Sequence, residues 1–161
     1  MDGFLSWMES SALGAAIRAS GPWTYALVNL AHVLGIAALF GAVLILDLRL
    51  MGAWRRTPLA AVTAIASPIA AVGFGVAAAA GVGLLATNAT EYIGNPFLLV
   101  KFPAIALGLA NAVLVRRSRA WRAHTSRDLT DGERRQLSVM AVVSLCSWIT
   151  AMAAGRFIGY W

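Results

Sequence analysis

Four apolar stretches divide the 161-residue chain, near residues 25–46, 59–87, 96–115 and 137–157. Each is long enough, as a helix, to cross a hydrocarbon core of about 30 Å, which takes roughly 20 residues. The first follows "SGPW". The third follows "GNP", where Asn95 can cap and Pro96 suits a first helical turn. "TDGE", Thr130 to Glu133, has capping-box spacing and predicts an extension that starts ahead of the fourth span. The second span contains Pro68, where a kink or a tilt is expected. Ahead of the spans, residues 1–22 place Phe4, Leu5, Met8, Ala12 and Ala15 near helical spacing, which predicts a short helix lying on the membrane surface. Asp2 and Glu9, with no basic stretch before them, do not read as a cleaved signal peptide. The pattern predicts an all-α integral membrane protein: one transmembrane domain over residues 1–161, built as a four-helix bundle with a short interfacial N-terminal helix.

Composition supports this reading. Hydrophobic residues make up 60% and charged residues 12%, against roughly a quarter charged in soluble domains. The net charge of +6 would suggest nucleic acid in a soluble chain. Here the arginines sit between spans, so the positive-inside rule accounts for them and nucleic-acid binding is not expected. Arg55 and Arg56 occupy the first inter-span loop and seven arginines from Arg116 to Arg135 the third, whereas "NATEYIGN" has none. Both termini are therefore expected outside, in the periplasm of a bacterial inner membrane. Trp23, Tyr92, Tyr160 and Trp161 would form the outer aromatic belt, and Trp54 and Trp121 the inner one. The one cysteine, Cys146, excludes an intrachain disulfide and is expected as a small buried thiol.

Small residues recur at i, i+4, i+8 in the second span: Gly73, Ala77 and Gly81 on one stripe, Gly75, Ala79 and Gly83 on another. They predict close helix packing, with a homodimer face as the alternative. "GAWRRT" and "RAWRAHT", and likewise "AAAAGVG" and "AMAAGRF", form a faint repeat that sets His32 opposite Lys101. A duplicated helical hairpin with parallel halves would give this pattern.

Ionisable groups inside spans are costly and usually have a partner. His32, Lys101 and Arg156 all fall in the expected outer leaflet, and together with Asn29 and Trp148 they are the candidate ligand-binding residues. Arg156 sits at the favourable C-terminal end of its helix; Lys101 sits near an N-terminus, where an anion is expected, either Glu91 or a ligand. Trp148, Met152 and Arg156 share helical spacing. His32 is either bonded to Asn29 or a backbone carbonyl, or it is a ligand. Bis-histidine haem within one chain is excluded because His124 lies in the opposite loop. A His32–Met152 pair for haem or copper, or a quinone contact, stays open. At the inner end of the first span, Asp47 opposes its helix dipole, and an ion pair with Arg116 is expected to latch the first span to the third.

The chain resembles a family of short bacterial inner-membrane proteins of unknown function. The resemblance runs from about Trp23 to Tyr160, on "HVLG", "DLRLMG", "ATEYIGNPFLLVKFPAI" and "GRFIGYW". More remotely, "HVLGIAALFGAVL" is similar to first helices of CopD-type copper-handling proteins and b-type cytochrome subunits, which implies haem b, quinone or copper as candidate cofactors. No Ser-His-Asp set, HExxH, P-loop or EF-hand spacing occurs. The expected function is a non-enzymatic accessory or ligand-binding subunit for a small redox-related or anionic ligand. Its partners would be the lipid bilayer and either a membrane-protein partner or further copies of itself. The alternative is electron transfer or copper handling.

Overall fold

The computed structural model describes residues 2–161, the side chain of Asp2 apart, and is 85% helical with no strands among those residues. Two short helices open the chain, α1 (Asp2–Ser10) and α2 (Ala12–Ala19). The sequence predicts one; there are two because Ser11 leaves helical geometry and its hydroxyl accepts from Gly14 N–H at 3.3 Å, starting a fresh helix. Four helices long and apolar enough to cross a membrane follow: α3 (Pro22–Leu50), α4 (Leu59–Thr87), α5 (Pro96–Arg117) and α7 (Asp131–Phe157), with the short α6 (Arg119–Ala123) before the last.

The boundaries follow from local chemistry. Gly21 takes φ +81° and Pro22 fills the first position of α3, so this helix starts a turn earlier than its apolar run. It ends at Leu50, two residues before Gly52 at φ +106°. The "TDGE" box forms as predicted: Thr130 accepts from Glu133 N–H while the Glu133 carboxylate accepts from Thr130 N–H at 2.9 Å. α4 continues through Pro68 without a break.

The core is made of small residues. Alanines dominate the buried set, and among the described residues Leu137 is the one large side chain less than 2% exposed, whereas Val72 is 68% and Ile65 66% exposed on the same α4 helix. A water-soluble helix does the reverse. Large side chains face outward because lipid accommodates them, and small ones face inward because they let helix backbones meet.

The chain forms two units. One holds the chain up to Leu39 with Ala71–Asn95. Here α3 and α4 approach until their backbones touch: a methyl on Gly73 would lie 2.5 Å from Leu39 N and 2.8 Å from Gly35 O, and one on Gly35 would lie 2.6 Å from Ala77 N. The Gly73, Ala77, Gly81 stripe is thus spent on packing. Gly75, from the second stripe, meets nothing within 4 Å, while Gly83 receives Ile17 and Val28. The N-terminal helices are tied to this unit by polar bonds. Arg18 donates to Thr87 O at 2.9 Å, satisfying a carbonyl left over at the C-terminus of α4. Glu9 accepts from the Thr90 hydroxyl and amide, both at 2.6 Å. Leu5 is buried, while Phe4 and Trp7 stay exposed as an interfacial helix requires.

The other unit holds Phe40–Ala70 with Pro96–Trp161. Its α5 and α7 pack side by side, with the Trp148 indole over Gly108 (3.0 Å to the position a methyl would take) and Asn111 donating to Met140 O at 2.9 Å. Leu50, Ala120, Leu137 and Ala141 form its most buried apolar cluster. Cys146 is exposed on α7, not buried as its apolar surroundings suggest, because the buried row of this helix runs through Ala141, Ser144, Ser147, Trp148 and Ala151.

Two outcomes follow. Gly73→Val should lower stability in detergent by about 2 kcal/mol or more through overpacking, read as a fall in thermal midpoint, whereas Gly75→Val should leave it nearly unchanged. Thr90 hydrogen bonds hold the Glu9 carboxyl below the usual glutamate value of 4.5. The anchorage of α1 is therefore fully present above that value and is lost as pH falls through the lowered one. A spin label at Phe4→Cys in a Cys146→Ser background should gain mobility over that acidic window, and Glu9→Gln should show the same mobility at neutral pH.

Candidate functional site

His32 lies in the first unit, half-buried on α3. Its Nδ1 meets Ala77 O at 2.7 Å, and the ring rests on Gly81, with Cε1 3.0 Å from the position a methyl there would occupy. The acceptor is a backbone carbonyl, so Nδ1 carries the proton, and in the neutral ring Nε2 is the lone-pair nitrogen. Of the two bonded arrangements the sequence offers, the carbonyl one forms, supplied by α4. Asn29 lies exposed on α3. The signal for this seat was present in the sequence: Ala77 and Gly81 are four apart on the small-residue stripe, and His32 needs the space that Gly81 leaves.

Lys101 lies in the second unit, near the N-terminus of α5. Its side chain runs along Gly155 of α7, with Nζ 3.5 Å from the position of a methyl on that glycine. It is half-buried and makes no hydrogen bond or ion pair among the described residues. Glu91, one of the two anions the sequence offers it, accepts a 3.4 Å bond from Asn88. Arg156 directly follows Gly155. Its guanidinium stacks 4.6 Å above the Tyr160 ring and also donates to the Tyr160 hydroxyl. Phe97 and Phe157, with ring centroids 5.4 Å apart, close the same end of the α5–α7 pair. Two cations thus share one end of this helix pair.

Trp148, Met152 and Arg156 lie on one side of the continuous helix α7 but differ in burial. Trp148 is buried against Gly108, a packing role, while Met152 is 38% exposed and Arg156 exposed. Among the described residues no three His, Cys, Asp or Glu side chains gather as a metal site.

The Asp47–Arg116 latch does not form. Asp47 is only 4% exposed and its carboxyl faces the Ser144 hydroxyl of α7, while its oxygen Oδ2 has no hydrogen-bond partner among the described residues. Arg116 stays exposed at the end of α5, and the ion pair seen among the described residues is Arg127–Glu133 at 2.7 Å. The physical reason lies in helix rotation. Asp47 is on the buried side of α3, and the small buried residues of α7 bring a hydroxyl there, whereas Arg116 keeps its long chain in water. Ser144 went unnoticed because serine in a membrane helix carries no spacing signature.

A model of a family of unknown function, DUF6644, matches residues 4–161. The chain belongs to this family. The match covers nearly the whole chain, in line with the resemblance read from "DLRLMG" and "ATEYIGNPF", and it brings no activity with it. No curated protein and no solved structure matches the chain, and the likeness to CopD-type proteins and b-type cytochromes is not shown.

A double-mutant cycle separates the two latches. Asp47→Ala and Ser144→Ala in this DUF6644 protein should couple by about 0.5–1.5 kcal/mol, the range of hydrogen bonds between membrane helices. Asp47→Ala and Arg116→Ala should be additive. Thermal midpoints of the four proteins in each cycle decide it.

Proposed function

We propose that this DUF6644 protein is a non-enzymatic subunit of a bacterial inner membrane, both termini outward, that receives a small anionic or redox-related ligand in the outer leaflet. The observation that carries the reading is Lys101: an ammonium on an apolar helix, seated on Gly155, with no carboxylate to balance it among the described residues. A charge at that depth costs roughly 2.5–3.5 kcal/mol on insertion scales, and such residues usually serve a ligand or an ion path. Arg156, held in place by Tyr160, supplies a second positive group at the same end of the α5–α7 pair. Two cations at one end of an apolar helix pair suit a carboxylate, a phosphate or a semi-reduced carbonyl oxygen.

A second reading is favoured by His32. Its Nδ1–H bond to a carbonyl is the orientation in which histidines present Nε2 to a metal or accept a bond from a ligand. On this reading His32 belongs to an electron-transfer or copper-handling role with haem b, quinone or copper, and Met152 is the other metal-ligand candidate.

Protein purified in mild detergent, examined by oxidised and dithionite-reduced spectra, metal analysis and native mass spectrometry, tests both. A colourless protein that retains an anionic species, lost in Lys101→Met and reduced in Arg156→Gln, is the expected result. Wild-type protein with no bound species, or Lys101→Met protein that keeps its ligand, would overturn the first reading. A Soret band or stoichiometric copper lost in His32→Ala would establish the second. A stoichiometric protein partner in the same spectra would define the subunit it serves.

A further inference from the structure

The second unit contains a concave basin of about 880 Å³ between the end of α3, the start of α4, and the loop running from α6 into α7. Its lining is one-signed. Arg49, Arg55, Arg56, Arg127, Arg134 and Arg135 contribute to it, against a single acidic residue, Asp128. The first residues of α4, Leu59 and Ala60, open into the same space and add the positive end of a helix dipole.

The arginines divide into held and unheld groups. Arg127 is neutralised by a two-pronged bond to Glu133, at 2.7 and 2.9 Å. Arg49 donates to Thr57 O at 3.0 Å and Arg134 to Leu129 O at 3.0 Å, so both are positioned by neutral carbonyls and keep their charge. Arg55, lying over Gly52, makes no hydrogen bond or ion pair among the described residues, and neither do Arg56 and Arg135. Arg49 feels the charges of both Arg134 and Arg55. The positive-inside rule explains why arginines occur in these loops. It does not explain why they converge on one hollow with their mutual repulsion left uncompensated.

The geometry points to a binding site for a phosphate group, presented either by the headgroup of an anionic phospholipid or by a soluble phosphate compound. Planar guanidinium groups bind phosphate oxygens in pairs, and the unheld Arg55, Arg56 and Arg135 have donors to spare. The partly exposed Met51, Leu59 and Leu129 lie in the lining beside the arginines, so the basin meets apolar and charged surface together, as a headgroup with its acyl chains would. This inference is independent of Lys101, Arg156 and His32.

The test uses the full chain in neutral detergent. Retention of phosphatidylglycerol against phosphatidylcholine is titrated by native mass spectrometry, and stabilisation by inorganic pyrophosphate is followed in parallel. Arg55→Gln/Arg135→Gln is compared with Arg117→Gln/Arg119→Gln, which removes the same charge from exposed positions outside the basin. Saturable phosphatidylglycerol binding, weakened about thirtyfold by the first pair at roughly one tenfold step or less per arginine, and little changed by the second, establishes the lipid source. Pyrophosphate stabilisation with the same variant dependence, and no lipid preference, establishes the soluble source. Equal weakening by both pairs, or no binding of either probe, overturns the site. Helical circular dichroism checks folding; should the first pair fold poorly, the single Arg56→Gln variant carries the same comparison.

Discussion

Lipid removes the main force that holds soluble helices together, because a leucine gains little by leaving acyl chains for another leucine. Close backbone contact has to replace it, and this chain obtains that contact through glycine and alanine. At Gly35 and Gly73 not even a methyl fits between α3 and α4. At Gly108 the missing Cβ makes the seat for Trp148, and Lys101 runs along Gly155 at ordinary contact distance. The same rule positions the polar groups. His32 reaches the Ala77 carbonyl only because Gly81 leaves space for its ring. Each polar side chain on a span is therefore a guest of a nearby small residue, and the small residues are the primary specification.

That dependence explains which parts of the molecule were legible in the sequence. The four spans were, since length and apolarity decide them and little competes. The Thr130–Glu133 capping box was also legible, because two mutually bonded groups at fixed spacing need no tertiary partner. The glycine stripe was legible as packing, but not which of its two rows would pack; that depends on helix rotation, which a nearly uniform apolar helix does not encode. Asp47 shows the same gap from the polar side. Its burial at an unfavourable helix end was a sound warning of a partner, but the chemistry of charges suggested Arg116 and the rotation of α7 delivered Ser144. Cys146 faced outward for the same reason.

The polar groups of the two units differ in how fully the protein itself satisfies them. His32 has a carbonyl, Arg18 caps a helix end, and Glu9 holds Thr90. Lys101, Arg55, Arg56 and Arg135 lack comparable protein partners among the described residues. A satisfied polar group fixes register and asks for nothing more. A half-buried cation such as Lys101 that lacks a partner carries a standing cost that something else must offset, whereas the exposed Arg55, Arg56 and Arg135 are hydrated and strained only by their mutual repulsion.

The inversion of size between inside and outside also bears on how such a chain can change over time. In a soluble domain the large interior residues are constrained and the surface drifts. Here the outward-facing Ile65, Val72, Leu99 and Val139 are more than half exposed, so side chains of similar solubility in lipid serve nearly as well. The positions that cannot grow are the unassuming ones, Gly35, Gly73, Ala77 and Gly108. Descent in this family should therefore be written in its glycines and alanines, with its bulky residues left comparatively free to vary.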